Sequence, residues 1–64
     1  MEVHVLVDRI RAEFLEMPGL RLSLRQATRL WQLDHALCSN VIELLVQASF
    51  LRKAQDGTFL RAQS

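Results

Sequence analysis

Phe50-Leu51-Arg52-Lys53-Ala54-Gln55-Asp56-Gly57-Thr58-Phe59-Leu60-Arg61 reads as a basic β-hairpin, and this stretch decides the fold. Asp-Gly is a strong hairpin signal because both central positions of the favoured two-residue turn need positive φ. With Asp56-Gly57 as the whole loop, Leu51 and Leu60 point to one side, and Arg52, Ala54, Phe59 and Arg61 to the other. Arg52 and Arg61 are then cross-strand neighbours, and like charges directly opposite destabilise a ladder. A one-residue slip in register inverts the assignment.

Working back from the hairpin, residues 35–48 read as a helix. Asp34 suits its N-cap, since a short carboxylate accepts from backbone N–H groups that have no partner in the first turn. Leu37, Val41, Leu44, Leu45 and Ala48 are expected to face inward, with Cys38 and Ile42 flanking them. Val46 projects outward on this geometry, beside His35, Ala36, Ser39, Asn40 and Glu43. Gln32-Leu33-Asp34 is the turn before this helix. The helix before the turn spans about 24–31, with Leu24, Ala27, Leu30 and Trp31 inward and Arg25 and Arg29 together on the outside. Ser23 and Gln26 form a capping box at its start.

Leu20-Arg21-Leu22 is a short extended piece, and Pro18-Gly19 ends the first helix. The residue before Pro is pushed out of the α region, which sets that boundary. The first helix covers about 2–17, with Val3, Leu6, Val7, Ile10, Phe14 and Met17 in one stripe at the helical period. Val3, Val5 and Val7 also alternate as a short strand would, but the helical stripe runs much longer.

The chain of 64 residues reads as one domain, mainly α with a small β-hairpin, an α+β fold. Half of it is hydrophobic and 23% is charged, which argues for a folded globule. There is room for a core and one working surface, and little for an enclosed pocket of about 300 Å³. Net charge is +1, and every basic residue but Lys53 is Arg, the side chain better suited to bidentate phosphate or guanine contacts. Cys38 is the lone cysteine and lies in an apolar run, so it is expected to pack as a small hydrophobe in a reducing compartment. No run approaches about 18 apolar residues, so no membrane span is expected. The first residues lack a basic region ahead of an apolar stretch, which points away from a secretory signal and toward the cytoplasm.

The chain resembles bacterial winged helix-turn-helix domains. The resemblance is carried by Leu24-Arg25-Gln26-Ala27, Leu33-Asp34, Leu44-Leu45-Val46, Phe50-Leu51 and Asp56-Gly57-Thr58-Phe59, in that order, with the first helix and Pro18-Gly19-Leu20 ahead of them. It covers nearly the whole chain. Related sequences often have Gly where Gln32 and Ser49 stand, places where the backbone tends toward left-handed geometry. A residue other than Gly there costs roughly 1–2 kcal/mol.

The resemblance implies duplex-DNA binding, as in a transcription regulator, with the third helix in the major groove and its N-terminal residues at base edges. His35, Ala36, Ser39, Asn40 and Glu43 are then the base-reading residues. Asn40 suits adenine and Glu43 suits cytosine. Arg25, Arg29, Arg52, Lys53 and Arg61 would grip phosphates. Helix-turn-helix proteins commonly act as dimers, and helix 1 or the open hairpin edge is the surface left for pairing with a second copy.

Other chemistry finds little support. His35 and Cys38 are three apart on one helix, but with His4 they do not complete four zinc ligands, and no metal or cofactor is expected. The carboxylates are scattered, there is no Gly-rich phosphate loop, and Cys38 has no nearby cation to stabilise a thiolate, so the chain reads as a non-enzyme without a small-molecule substrate. Trp31 sits at core spacing rather than as a base-stacking platform. The alternative reading is a protein-interaction module on the same frame, without nucleic acid. Its motives are the near-neutral charge, the acidic Glu43, and Val5, Leu15, Ile42 and Val46 as apolar residues with no core to enter.

Overall fold

The computed structural model describes residues 3–62. Three helices and a three-stranded antiparallel sheet follow in the order α1 (Val3–Glu16), β1 (Leu22–Ser23), α2 (Leu24–Trp31), α3 (His35–Gln47), β2 (Leu51–Lys53) and β3 (Thr58–Arg61). Helix bounds agree with the sequence reading to within a residue, with Glu2 outside the described residues. Met17 falls in the turn beyond α1, where Pro18 takes the second place and Leu20 N–H closes onto Met17 C=O at 2.9 Å.

Capping chemistry explains where α2 and α3 begin. Ser23 Oγ accepts from Gln26 N–H at 3.1 Å while Gln26 Oε1 accepts from Ser23 N–H at 2.9 Å. Asp34 Oδ2 accepts from Ala36 N–H at 3.1 Å and Leu37 N–H at 3.4 Å.

Both helices end on a left-handed residue that is not glycine, Gln32 at φ 53° and Ser49 at φ 63°. Beyond Gln32, Leu33 N–H bonds to Thr28 C=O at 3.1 Å. Beyond Ser49, Phe50 N–H bonds to Leu45 C=O at 3.0 Å, and Ser49 N–H itself reaches Val46 C=O at 2.9 Å. These are Schellman closures, in which the reversal satisfies carbonyls the helix leaves open and turns an apolar residue back onto it. Leu33 and Phe50 are those residues, and both pack against the core.

The core joins Leu6, Ile10 and Phe14 of α1 with Ala27 and Trp31 of α2, Cys38, Val41, Ile42 and Leu45 of α3, and Leu51 of β2. Phe14 and Trp31 meet at 6.1 Å between ring centres, tilted by 60°. The buried line of α3 is thus rotated from the expected one. Cys38 and Ile42 are core, whereas Leu44 stays exposed and Leu37 lies half-buried. On α2, Leu30 is exposed rather than inward.

The sheet corrects the hairpin reading in two ways. It has a third strand, because the extended piece before α2 pairs through Leu22↔Phe59 and Ser23↔Thr58, placing β3 between β1 and β2. The register is also one residue away from the two-residue loop, with Leu51↔Arg61, Arg52↔Leu60 and Lys53↔Phe59. Gly57 N–H bonds to Ala54 C=O at 3.0 Å, and Ala54 N–H bonds to Thr58 C=O at 2.8 Å. Within the loop only Gly57 has positive φ, at 88°. That is a three-residue loop, a tight turn followed by one left-handed glycine. Alternation then sets Leu51, Lys53, Phe59 and Arg61 on one face and Arg52 and Leu60 on the other.

Candidate nucleic-acid interface

The N-terminal half of α3 presents an exposed polar surface. His35, Ala36, Asn40 and Glu43 are exposed and Ser39 is half-buried. The helix N-terminus is not open to an anion, since Asp34 already occupies the Ala36 and Leu37 N–H groups that would hold one. Cationic side chains are then the charge available to a phosphate beside α3.

The register brings one of these close. Lys53 shares the α3-facing side of the sheet with Phe59, its Nζ 5.9 Å from the ring centre. Ser39 and Glu43 line a cleft of about 250 Å³ with Lys53, floored by Leu24, Val46 and Phe59. Two of the expected base-reading residues thus border an expected phosphate-holding one. Arg25 and Arg29 are exposed on α2, and Arg52 is exposed on the opposite face of the hairpin from Lys53. Among the described residues the one ion pair is Arg21 with Asp56, at 3.5 Å. Arg25, Arg29, Arg52 and Lys53 therefore carry no carboxylate partner there.

Arg61 does not join this group. It lies opposite Leu51, not Arg52, so the expected like-charge pair does not form. Its guanidinium stacks over Phe50 at 4.8 Å, and Arg11 reaches the same ring at 5.4 Å. Cation–ring attraction and partial burial of the stem hold it at the base of the hairpin.

Arg21 is the residue that sequence reasoning missed. Its Nε donates to Thr58 Oγ1 at 2.8 Å and its Nη2 to Asp56 Oδ2 at 3.5 Å. Thr58 in turn donates to Asp56 Oδ1 from Oγ1 at 2.6 Å and from N–H at 3.0 Å. These Thr58 hydrogen bonds first, and the Arg21 charge second, hold the Asp56 carboxyl below its ordinary value. The chain of contacts ties the hairpin tip to the segment before α2. No local signal marks Arg21, because its partners lie 37 and 35 residues away.

The remaining expectations can be located. Trp31 is 8% exposed and packed in the core, with no acceptor for its Nε1–H among the described residues. Cys38 is fully buried, and burial pushes its thiol up from its ordinary value. Among the described residues no group of three His, Cys, Asp or Glu could hold a metal ion, and no helix is long and apolar enough to cross a membrane. The expected apolar strip along Ile42 and Val46 is not present. Ile42 is buried and Val46 packs against the core, because the sheet covers this side of α3. Val5 and Leu15 are exposed, as expected.

Comparison with protein-family models, curated proteins and solved structures finds no match to this chain.

Proposed function

We propose that the chain is a winged helix-turn-helix domain that binds duplex DNA, acting as a transcription regulator in a bacterial cytoplasm. One observation carries the reading. The chain exposes both the polar face of α3 and four cationic side chains, Arg25, Arg29, Arg52 and Lys53, with no carboxylate partner among the described residues, and Lys53 shares a cleft with Ser39 and Glu43. A charged group held exposed and unpaired is available to a phosphate at no cost in broken ion pairs. The short turn between α2 and α3 and the hairpin behind them follow the winged-helix order.

In this reading α3 enters the major groove, where Asn40 pairs with adenine and Glu43 accepts from cytosine. Lys53, beside Ser39 and Glu43, holds an adjacent phosphate, Arg25 and Arg29 hold others from α2, and Arg52 reaches along the outer face of the wing. Arg61 is left out of the phosphate set because it lines the cleft beside Phe50 and not the one shared by Ser39, Glu43 and Lys53. The domain works as a binding module without catalysis or cofactor. Pairing with a second copy would use exposed α1 or the open edge of β2.

Four phosphate contacts predict that log affinity falls against log salt with a slope of about −3.6. Replacing Arg25 and Arg29 together by Ala removes two contacts, flattens the slope by about 1.8 and weakens binding to all sequences alike. Asn40→Ala weakens only a preferred site. Equal binding and equal slope for wild type and the double Arg variant would rule the mechanism out.

A further inference from the structure

A second surface lies on the flank of α3 that the sheet does not cover. Leu44 is 45% exposed there and Val3 of α1 is 39% exposed, although both are large apolar side chains. A cleft of about 470 Å³ runs between α1, the end of α3 with the turn that follows it, and the end of β3, with Val7, Leu44 and Phe50 along it and Arg11 and Arg61 at its side. A second depression of about 250 Å³, reaching Val3, shares Val7 and Leu44 with the first. The shared residues set the two side by side, the second bordered also by His4 and Asp8, so the carboxylate end of a ligand is favoured only at the Arg11 and Arg61 end.

The charge at one end of this groove is unbalanced. Arg11 and Arg61 converge on the Phe50 ring, at 5.4 and 4.8 Å from its centre. Neither pairs with a carboxylate among the described residues. The Arg61 Nε–H is buried and has no acceptor there. Buried donors are nearly always satisfied, and leaving one without a partner is costly. Two convergent guanidiniums beside an apolar channel complement a carboxylate set among apolar side chains. The groove is open along its length, whereas a small ligand is normally enclosed over most of its surface. An elongated chain fits both depressions at once.

We infer that this groove is a docking surface for an acidic, apolar segment of a partner protein. Its apolar side chains lie over Val3, Val7 and Leu44, and its carboxylate meets Arg11 and Arg61. The site is separate from the proposed DNA-binding residues and does not depend on them.

The test uses the full chain labelled with nitrogen-15 and two synthetic helical peptides. One carries a Leu stripe flanked by Glu, and its twin has every Glu replaced by Gln. The expected result is saturable shifts of the Val7, Arg11, Leu44 and Phe50 amides with the Glu peptide, and binding about tenfold weaker for the twin. Charge-assisted hydrogen bonds are worth that factor. The exposed-residue variant Arg11→Gln should lose the same factor, and it avoids the half-buried Arg61. Equal binding by the two peptides, equal binding by Arg11→Gln, or no saturation would overturn the inference. Displacement of the peptide by duplex DNA would also overturn it, since the two arginines would then belong to a nucleic-acid surface.

Discussion

Ser49→Gly and Gln32→Gly remove the two left-handed residues that close α3 and α2, at φ 63° and 53°. In that region a Cβ crowds the following carbonyl, at a cost of roughly 1–2 kcal/mol per residue. Glycine gives back about 0.4–1 kcal/mol of this, because it leaves the unfolded chain more freedom to lose. Both side chains are exposed, and neither makes a hydrogen bond among the described residues, so nothing else is lost. The net expectation is about 0.5–1 kcal/mol of added stability at each site. In a domain of this size that corresponds to a melting temperature roughly 4 °C higher for each variant and roughly 8 °C for the pair, provided the two closures act independently. Thermal and urea unfolding followed by circular dichroism read both quantities. Ser49→Ala is the control, since alanine bears the same left-handed cost and should change little. A Ser49→Gly protein that melts at or below wild type would refute the claim that the closures are strained.

Phe14→Ala empties a fully buried site against Trp31 and should cost about 3–5 kcal/mol. That is comparable with the whole stability expected of a chain this short, about 3–10 kcal/mol, so the variant should be largely unfolded by near-ultraviolet dichroism. Asp56 predicts a pH effect. Its folded pKa is depressed, so its contribution is fully present above the ordinary value of 3.8 and is lost as pH falls through the lower folded value. The stability difference between wild type and Asp56→Ala in urea should therefore be present near about pH 6 and vanish in strong acid, and a difference that persists unchanged there would contradict the role given to the carboxylate.

How far the fold was legible follows from the range of the signals. The starts of α2 and α3 could be read because Ser23 with Gln26, and Asp34 with its own first turn, act within three residues. The left-handed closures at Gln32 and Ser49 were legible through the resemblance, which has glycine at those places. The inward face of α3 was not legible. Leu37, Cys38, Val41, Ile42, Leu44, Leu45 and Val46 cover most of its circumference, so periodicity alone cannot choose a centre. The choice falls to the sheet, whose cover makes Ile42 core and leaves Leu44 outside.

The hairpin register failed for a local reason of another kind. Asp-Gly by itself signals a two-residue loop, whereas the Asp56 carboxylate bonds to Thr58 and leaves Gly57 as the one residue of the loop with positive φ. Strand β1 is two residues long, too short to show an alternation. The candidate site was legible in part. The polar face of α3 and the exposure of Arg25, Arg29, Arg52 and Lys53 agree with the sequence reading, and the capture of Arg61 by Phe50 follows from the register.

The proposed activity is tested most directly by fluorescence anisotropy of a labelled mixed-sequence duplex, titrated with the protein at about 50 and about 200 mM salt. Saturable binding is expected at the lower salt, weakening by about two orders of magnitude at the higher, as four phosphate contacts require. No binding at the lower salt would contradict it, since four exposed cations without carboxylate partners should then hold a duplex of any sequence.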